Sequence, residues 1–187
     1  MAYVHSRQIK PDLRNWPPPE DYQVRILEPD ELHAAAVNTE LEMTPAFLEE
    51  AIAGGHWCIG AYHDGELVSY AWRSVTDAPG SDDFRIRLHQ KLRYGYKSLT
   101  LPDHRGRHLQ SYLSCCCDQY SLPRGYERSI SYVETHNYPS LTGDWRRGNQ
   151  ISGLIAWMDK GPIRWSWTSP RARRLGLELV DARRGGA

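Results

Sequence analysis

Surplus charge is missing from this sequence: 23 Lys and Arg stand against 23 Asp and Glu in 187 residues, a formal net charge of zero. Nothing global draws such a chain to nucleic acid or to an anionic membrane, so any pull on anions must be local. Long apolar runs are missing too. No stretch approaches the roughly 18 apolar residues of a membrane span, and the opening MAYVHSRQIKPDLRNWPPPE lacks the apolar block of a signal peptide. These absences predict a soluble, cytoplasmic protein with no membrane and no nucleic-acid partner. Cysteine is scarce, at Cys58 and the run Cys115, Cys116 and Cys117. None of the paired two-residue gaps of a zinc site is present, and neighbouring cysteines do not readily meet disulfide geometry. We read them as reduced thiols, with no metal bound. No internal repeat is present.

Phenylalanine is rare, with two residues, while there are seven Trp and eleven Tyr. Such amphipathic rings build a core or wall a pocket. Tyr70, Trp72, Tyr94, Tyr96, Trp157, Trp165 and Trp167 fall on strands, where core and cross-strand pairing is their ordinary use.

The length and a 40% hydrophobic content suit one compact core. Residues 1–21, with their NWPPPE, read as an extended N-terminal arm, residues 22–168 as the folded domain, and residues 169–187 as a basic C-terminal tail. The tail carries Arg171, Arg173, Arg174, Arg183 and Arg184. It is too short, in a neutral chain, to make nucleic-acid binding the leading reading. Within the domain, YQVRIL predicts a strand and EPDELHAAAV a helix. A second helix over 44–53 is capped by Thr44 and stopped by Gly54-Gly55. WCIGAYHDGELVSYAWRS predicts antiparallel strands at 57–63 and 66–74 around Asp64-Gly65. VTDAPGSDD reads as a loop, and 84–91 is ambiguous. LRYGYKSLTL then resumes as a strand.

That strand runs into LPDHRGRHLQSYL. From Arg105 onward Leu109, Tyr112, Leu113, Cys116, Cys117 and Tyr120 recur at spacings of three and four, one face of a helix. This puts Arg105, Gly106 and Arg107 in its first turn. A helix N-terminus offers unpaired N–H groups and the positive end of its dipole, so it suits a phosphate. RSISYVE forms a further strand to Glu134, a helix follows from Asn137 or Pro139 to Arg147, and ISGLIAWM with IRWSWT forms a second hairpin around DKGP.

Over residues 22–168 the chain resembles the GNAT superfamily of acyl-CoA-dependent N-acyltransferases. The likeness is carried by HDGELVSYAW, by LTLPDHRGRHLQSYL and by VETHNYPSL with Gly148. It implies an α+β (three-layer α/β) fold with a mixed, mostly antiparallel central sheet flanked by helices. It also implies acetyl-CoA as acyl donor, without a metal, and a primary amine of a small molecule as acceptor, acylated by direct attack in a monomer or homodimer. In that family the phosphate-binding run is R/Q-x-x-G-x-G/A; here Arg105, Gly106, Arg107, His108, Leu109 and Gln110 take its place, with His108 and Gln110 where small residues are usual. Leu99, Thr100 and Leu101 would offer backbone groups to the pantetheine arm and to the thioester oxyanion. Asn137 would hydrogen-bond the arm, and is equally placed to cap a helix. Glu134 is the candidate base, with His136 as the alternative. The Tyr that usually donates a proton is replaced by Asp144, which leaves Tyr138 or water for that role. Two further readings stay open: a transferase of longer acyl chains, and a non-catalytic acyl-CoA-binding or assembly module.

Overall fold

The computed structural model describes residues 1–10, 16–17, 19–80, 84–89, 91–160 and 163–181. In chain order the elements are β1 (Ala2–Gln8), β2 (Gln23–Ile26), α1 (Pro29–Ala35), α2 (Pro45–Ala53), β3 (Trp57–His63), β4 (Glu66–Ser74), β5 (Ala78–Pro79), β6 (Phe84–Leu88) and β7 (Leu92–Thr100). They continue as α3 (Leu109–Ser121), β8 (Arg128–Glu134), α4 (Tyr138–Arg146), β9 (Gln150–Lys160), β10 (Ile163–Thr168), α5 (Pro170–Arg174) and β11 (Leu177–Asp181). Short 3-10 turns lie at Thr39–Leu41, Pro102–His104 and Leu122–Arg124.

These elements gather into two compact units. One comprises Met1–Gln8, Val75–Tyr94 and Tyr126–Ala187; the other comprises Ile9–Ser74 and Gly95–Gly125. Strand β7 contributes to both, with residues 92–94 in the first and 95–100 in the second.

In the first unit the strand order is β10-β9-β1-β8, followed by the start of β7. All neighbours are antiparallel except β8 and β7, which run parallel with Leu92 to Tyr94 against Arg128 to Ile130. Ala2, Val4, Leu92, Tyr94, Ile130, Val133 and Ile155 are among its buried apolar side chains. A smaller sheet, β11-β6-β5, buries Phe84, Ile86, Leu177 and Leu179. Helix α5 rests on β9 at Gly153, where an added Cβ would lie 2.7 Å from the Cβ of Ala172. Its cap, Ser169, accepts the Ala172 N–H and also the Leu154 N–H of β9.

In the second unit β2, β3 and β4 are successive antiparallel neighbours, and the remainder of β7 lies beside β4. Helices α1 and α2 cover one face, where Leu32, Leu48 and Ala51 pack with Cys58, Leu67, Tyr70 and Trp72. Helix α3 covers the other, with Leu109, Leu113 and Cys117 against Ile59, Ala61 and Ala71. The register of β3 with β4 slips by one residue between Ala61 and Tyr62. That bulge lets Leu67 share a face with Tyr70 and Trp72 despite its odd spacing.

Three sequence readings are corrected here, and one left open, at 84–91, is resolved. Residues 2–8 form a strand, not an arm, because β1 finds its partners more than a hundred residues away, at Glu134 to Arg128 and at Ile155 to Gln150. The segment 84–88 is a strand, paired with β11. The tail is ordered through Asp181, as helix α5 and strand β11. The long helix begins at Leu109 and not in the Arg105 turn, since Gly106 (φ 77°) and His108 (φ 58°) both hold left-handed backbone. Arm residues 11–15 and 18, the loop residues 81–83, residue 90, the DKGP residues 161–162 and tail residues 182–187 with Arg183 and Arg184 lie outside the described residues.

Candidate functional site

The end of β7 is tied to β4 through two of the three residues singled out there. The Leu101 N–H donates to the Val68 carbonyl at 2.9 Å, and the Leu99 carbonyl accepts from the Ser69 hydroxyl at 3.1 Å. Successive residues of a strand turn their backbone groups to opposite edges. Thr100 is thus the residue of the three whose N–H and carbonyl aim away from β4. Its carbonyl accepts the Arg105 Nε–H at 3.0 Å, which holds the Arg105 side chain back along the strand end.

After a 3-10 turn at 102–104 the chain enters the stretch 105–108, exposed throughout. Gly106 at φ 77° has open space where a side chain would stand. His108, at φ 58° and ψ 17°, is the N-cap of α3. Its carbonyl accepts the first helical bonds, from Ser111 (3.0 Å) and Tyr112 (3.1 Å). The N–H groups of Leu109 and Gln110 therefore precede the first intrahelical bond and lie at the positive end of the thirteen-residue helix. The left-handed backbone at 108 is the conformation that costs glycine least, which is why a glycine is the ordinary occupant of such a position. Histidine is among the residues that tolerate it. Its ring packs against Trp16, with centroids 5.6 Å apart.

Gln110 does not crowd the helix end. Its side chain turns under the helix, where Nε2 lies 2.9 Å from the Leu99 carbonyl, 3.0 Å from the Tyr70 carbonyl, 2.9 Å from Ser69 Oγ and 3.2 Å from Thr100 Oγ1. One amide thus bridges β4 and β7 and pins the start of α3 to both. Sequence reading missed Ser69 altogether: no local pattern marks a serine that meets its partners 30 and 41 residues away.

The remaining candidates belong to the other unit. Glu134 closes β8, and its Oε2 lies 3.2 Å from His136 Nε2. Asn137 caps α4, its Oδ1 accepting the Ser140 N–H at 3.2 Å. Tyr138, in the first turn of that helix, is 71% exposed. Asp144, standing where the family's tyrosine would be, is buried. It pairs with Arg147 at 2.5 Å, accepts from the Ser131 hydroxyl at 3.3 Å and lies 3.4 Å from His5 Nδ1. Burial pulls the His5 pKa below the ordinary imidazole value and outweighs the attraction of Asp144. Asp144 is thereby an anchor for the half-buried Arg147 guanidinium.

None of the four cysteines is in a disulfide, and burial pushes the Cys58 thiol far up and Cys116 up to about 11. Such groups are protonated at neutral pH and are poor nucleophiles.

No family model and no curated protein matches the chain. Solved structures do. A tandem GNAT protein from the clavulanic acid biosynthesis pathway aligns with a TM-score of 0.58 at 17% identity, over 97% of this chain and 53% of that one. The chain has the GNAT fold. The aminoglycoside N-acetyltransferase AAC(6')-Iy in complex with CoA gives a TM-score of 0.58 at 16% identity, over 74% of this chain and 99% of that one. A GCN5-related N-acetyltransferase from Kribbella flavida gives 0.50 at 12%, over 80% and 54%. The chain thus spans about half the length of the tandem protein and of the Kribbella protein. In the GNAT fold of this chain the mostly antiparallel strands are flanked by helices, as its family resemblance implied.

Proposed function

We propose that this chain is an acyl-CoA-dependent N-acyltransferase that moves an acetyl group from acetyl-CoA to the primary amine of a small molecule by direct attack. The observation that carries the reading is the exposed stretch 105–108 with its two left-handed residues, opening onto the N–H groups of Leu109 and Gln110, which precede the first intrahelical bond. An anionic diphosphate fits there: Gly106 leaves room for it, Arg105 and Arg107 supply charge, and the Gln110 side chain is turned aside. A CoA complex of a structural neighbour supports the same choice of donor.

When bound, the coenzyme supplies a thioester as acyl donor. Thr100, whose N–H aims away from β4, is the backbone donor suited to a developing oxyanion, and Leu99 and Leu101 hold the strand that carries it. Asn137 serves as helix cap and has amide N–H groups for the pantetheine arm. Glu134 is the base that accepts the ammonium proton, its carboxylate kept in place by His136. Tyr138 is the donor toward the departing thiolate.

One observation favours a second reading, a binding module without catalysis: Asp144 is committed to Arg147 and His5, and no tyrosine follows Tyr138 in the chain. Melting the protein with and without acetyl-CoA, then following thiol release over a panel of amines and acyl lengths, separates the two. At a hundred times its dissociation constant the donor adds ~2.7 kcal/mol of stability. A melting shift with thiol release supports the transferase, and Glu134→Gln then lowers turnover while the affinity for acetyl-CoA is kept. A shift without thiol release supports the module, and no shift with any acyl-CoA rejects both.

A further inference from the structure

Beside the 105–108 stretch, three rings from three parts of the chain meet. Tyr22, just before β2, lies with ring centroids 5.0 Å from His63 at the end of β3 and 5.8 Å from His104 in the 3-10 turn, and the two imidazoles are 5.1 Å apart. The Tyr22 hydroxyl is hydrogen-bonded to His104 Nδ1 at 2.9 Å. His63 Nδ1 lies 3.3 Å from Asp64 Oδ2, whose side chain is 90% exposed. His104 is thus hydrogen-bonded through Nδ1 and His63 faces Asp64 with its own Nδ1, and among the described residues no partner holds the Nε2 of either. The Arg107 guanidinium lies 6.0 Å from the centre of the Tyr22 ring, and all three rings are half-buried.

Two imidazoles in contact repel each other once both carry a proton, so their pairing gains from an anion that touches both. The permanent cation of the group, Arg107, stands in the stretch already proposed for the diphosphate. The nucleotide end of coenzyme A carries two anionic centres: the diphosphate and, across the ribose, a phosphomonoester. We propose that His63 and His104, together with Arg107, bind the ribose 3′-phosphate, so that the chain selects coenzyme A over its dephospho form. Tyr22 acts as the spacer that fixes both rings, and Asp64 orients His63 by accepting from Nδ1. This selection rests on the acyl-CoA reading of the preceding subsection.

Calorimetric titration with coenzyme A, dephospho-coenzyme A and inorganic phosphate tests it, on the wild type and on the His63→Asn/His104→Asn double variant. Thermal melts of the double variant and of each single variant report whether the fold is kept. The wild type binds coenzyme A more tightly than the dephospho form by about tenfold or more, as loss of charge-assisted hydrogen bonds predicts. The double variant loses that preference and keeps its affinity for the dephospho form, and phosphate competes with coenzyme A more strongly than with the dephospho form. Equal binding of the two nucleotides by the wild type, or a preference that survives the double substitution in folded protein, overturns the proposal. Binding of neither nucleotide instead overturns the acyl-CoA reading beneath it.

Discussion

Replacing Gln110 by alanine removes the amide that joins α3 to the two strands beneath it. Four acceptors surround Nε2, at 2.9 to 3.2 Å, but the nitrogen has two protons, so about two hydrogen bonds are satisfied at once. Each contributes ~1 kcal/mol net, so Gln110→Ala destabilises by about 2 kcal/mol. For a chain of this size that lowers the melting temperature by roughly 4–8 °C. Gln110→Glu is worse at neutral pH, since a carboxylate cannot donate to the carbonyls of Leu99 and Tyr70, and acid partly restores it by returning a proton to donate. Urea unfolding and thermal melts of the two variants, followed by coenzyme titration, measure the effect. Both variants also weaken coenzyme binding, because the loop loses its anchor. Melting temperatures of both within about a degree of the wild type would refute the clamp.

Other consequences follow from the same contacts. Gly106→Ala costs ~1–2 kcal/mol through its left-handed φ of 77°, whereas His108→Gly is nearly neutral, because relief at φ 58° offsets the added freedom of the unfolded chain; urea midpoints compare them. Asp144→Asn leaves the half-buried Arg147 without its counter-charge and destabilises by about 2 kcal/mol, read by the same assay, while a loss below about half a kcal/mol would deny the anchor role. His5 titrates lower in the folded protein than in the unfolded chain. Its unfolded form therefore takes up a proton first on acidification, so His5 stabilises the fold above the ordinary imidazole value, about 6.5, and that stability is lost as pH falls below it. His5→Gln removes this part of the slope in unfolding free energy between about pH 7 and 5, and an unchanged slope would contradict it.

What the sequence disclosed was local in origin. The β3–β4 hairpin follows from Asp64 and Gly65, both at positive φ in the turn, and the start of α2 follows from Thr44, whose hydroxyl accepts the Phe47 N–H. Of the α3 face read from spacing, Leu109, Leu113 and Cys117 are buried while Tyr112, Cys116 and Tyr120 are only half-buried, and Ser111, Ser114, Cys115 and Asp118 bury a second, roughly opposite face that the apolar spacing did not mark. Asp118 accepts the Lys10 N–H, a partner 108 positions away that no periodicity signals. Strand β1 was hidden for the same reason. Its His5 and Ser6 are buried polar residues whose contacts, Asp144 and Ser152, lie far along the chain. At the candidate site the Gly106 turn was visible, but the left-handed His108 and the inward Gln110 were not. Backbone handedness at a non-glycine residue leaves little trace in composition, and a glutamine satisfied by strand carbonyls looks like any surface glutamine.

The direct test is amide hydrogen exchange of the protein with and without saturating coenzyme A, read peptide by peptide. Slowed exchange concentrated over residues 105–110, at Gly106 and the first N–H groups of α3, is the predicted result. Tight coenzyme binding that leaves those amides exchanging as in the free protein would contradict it.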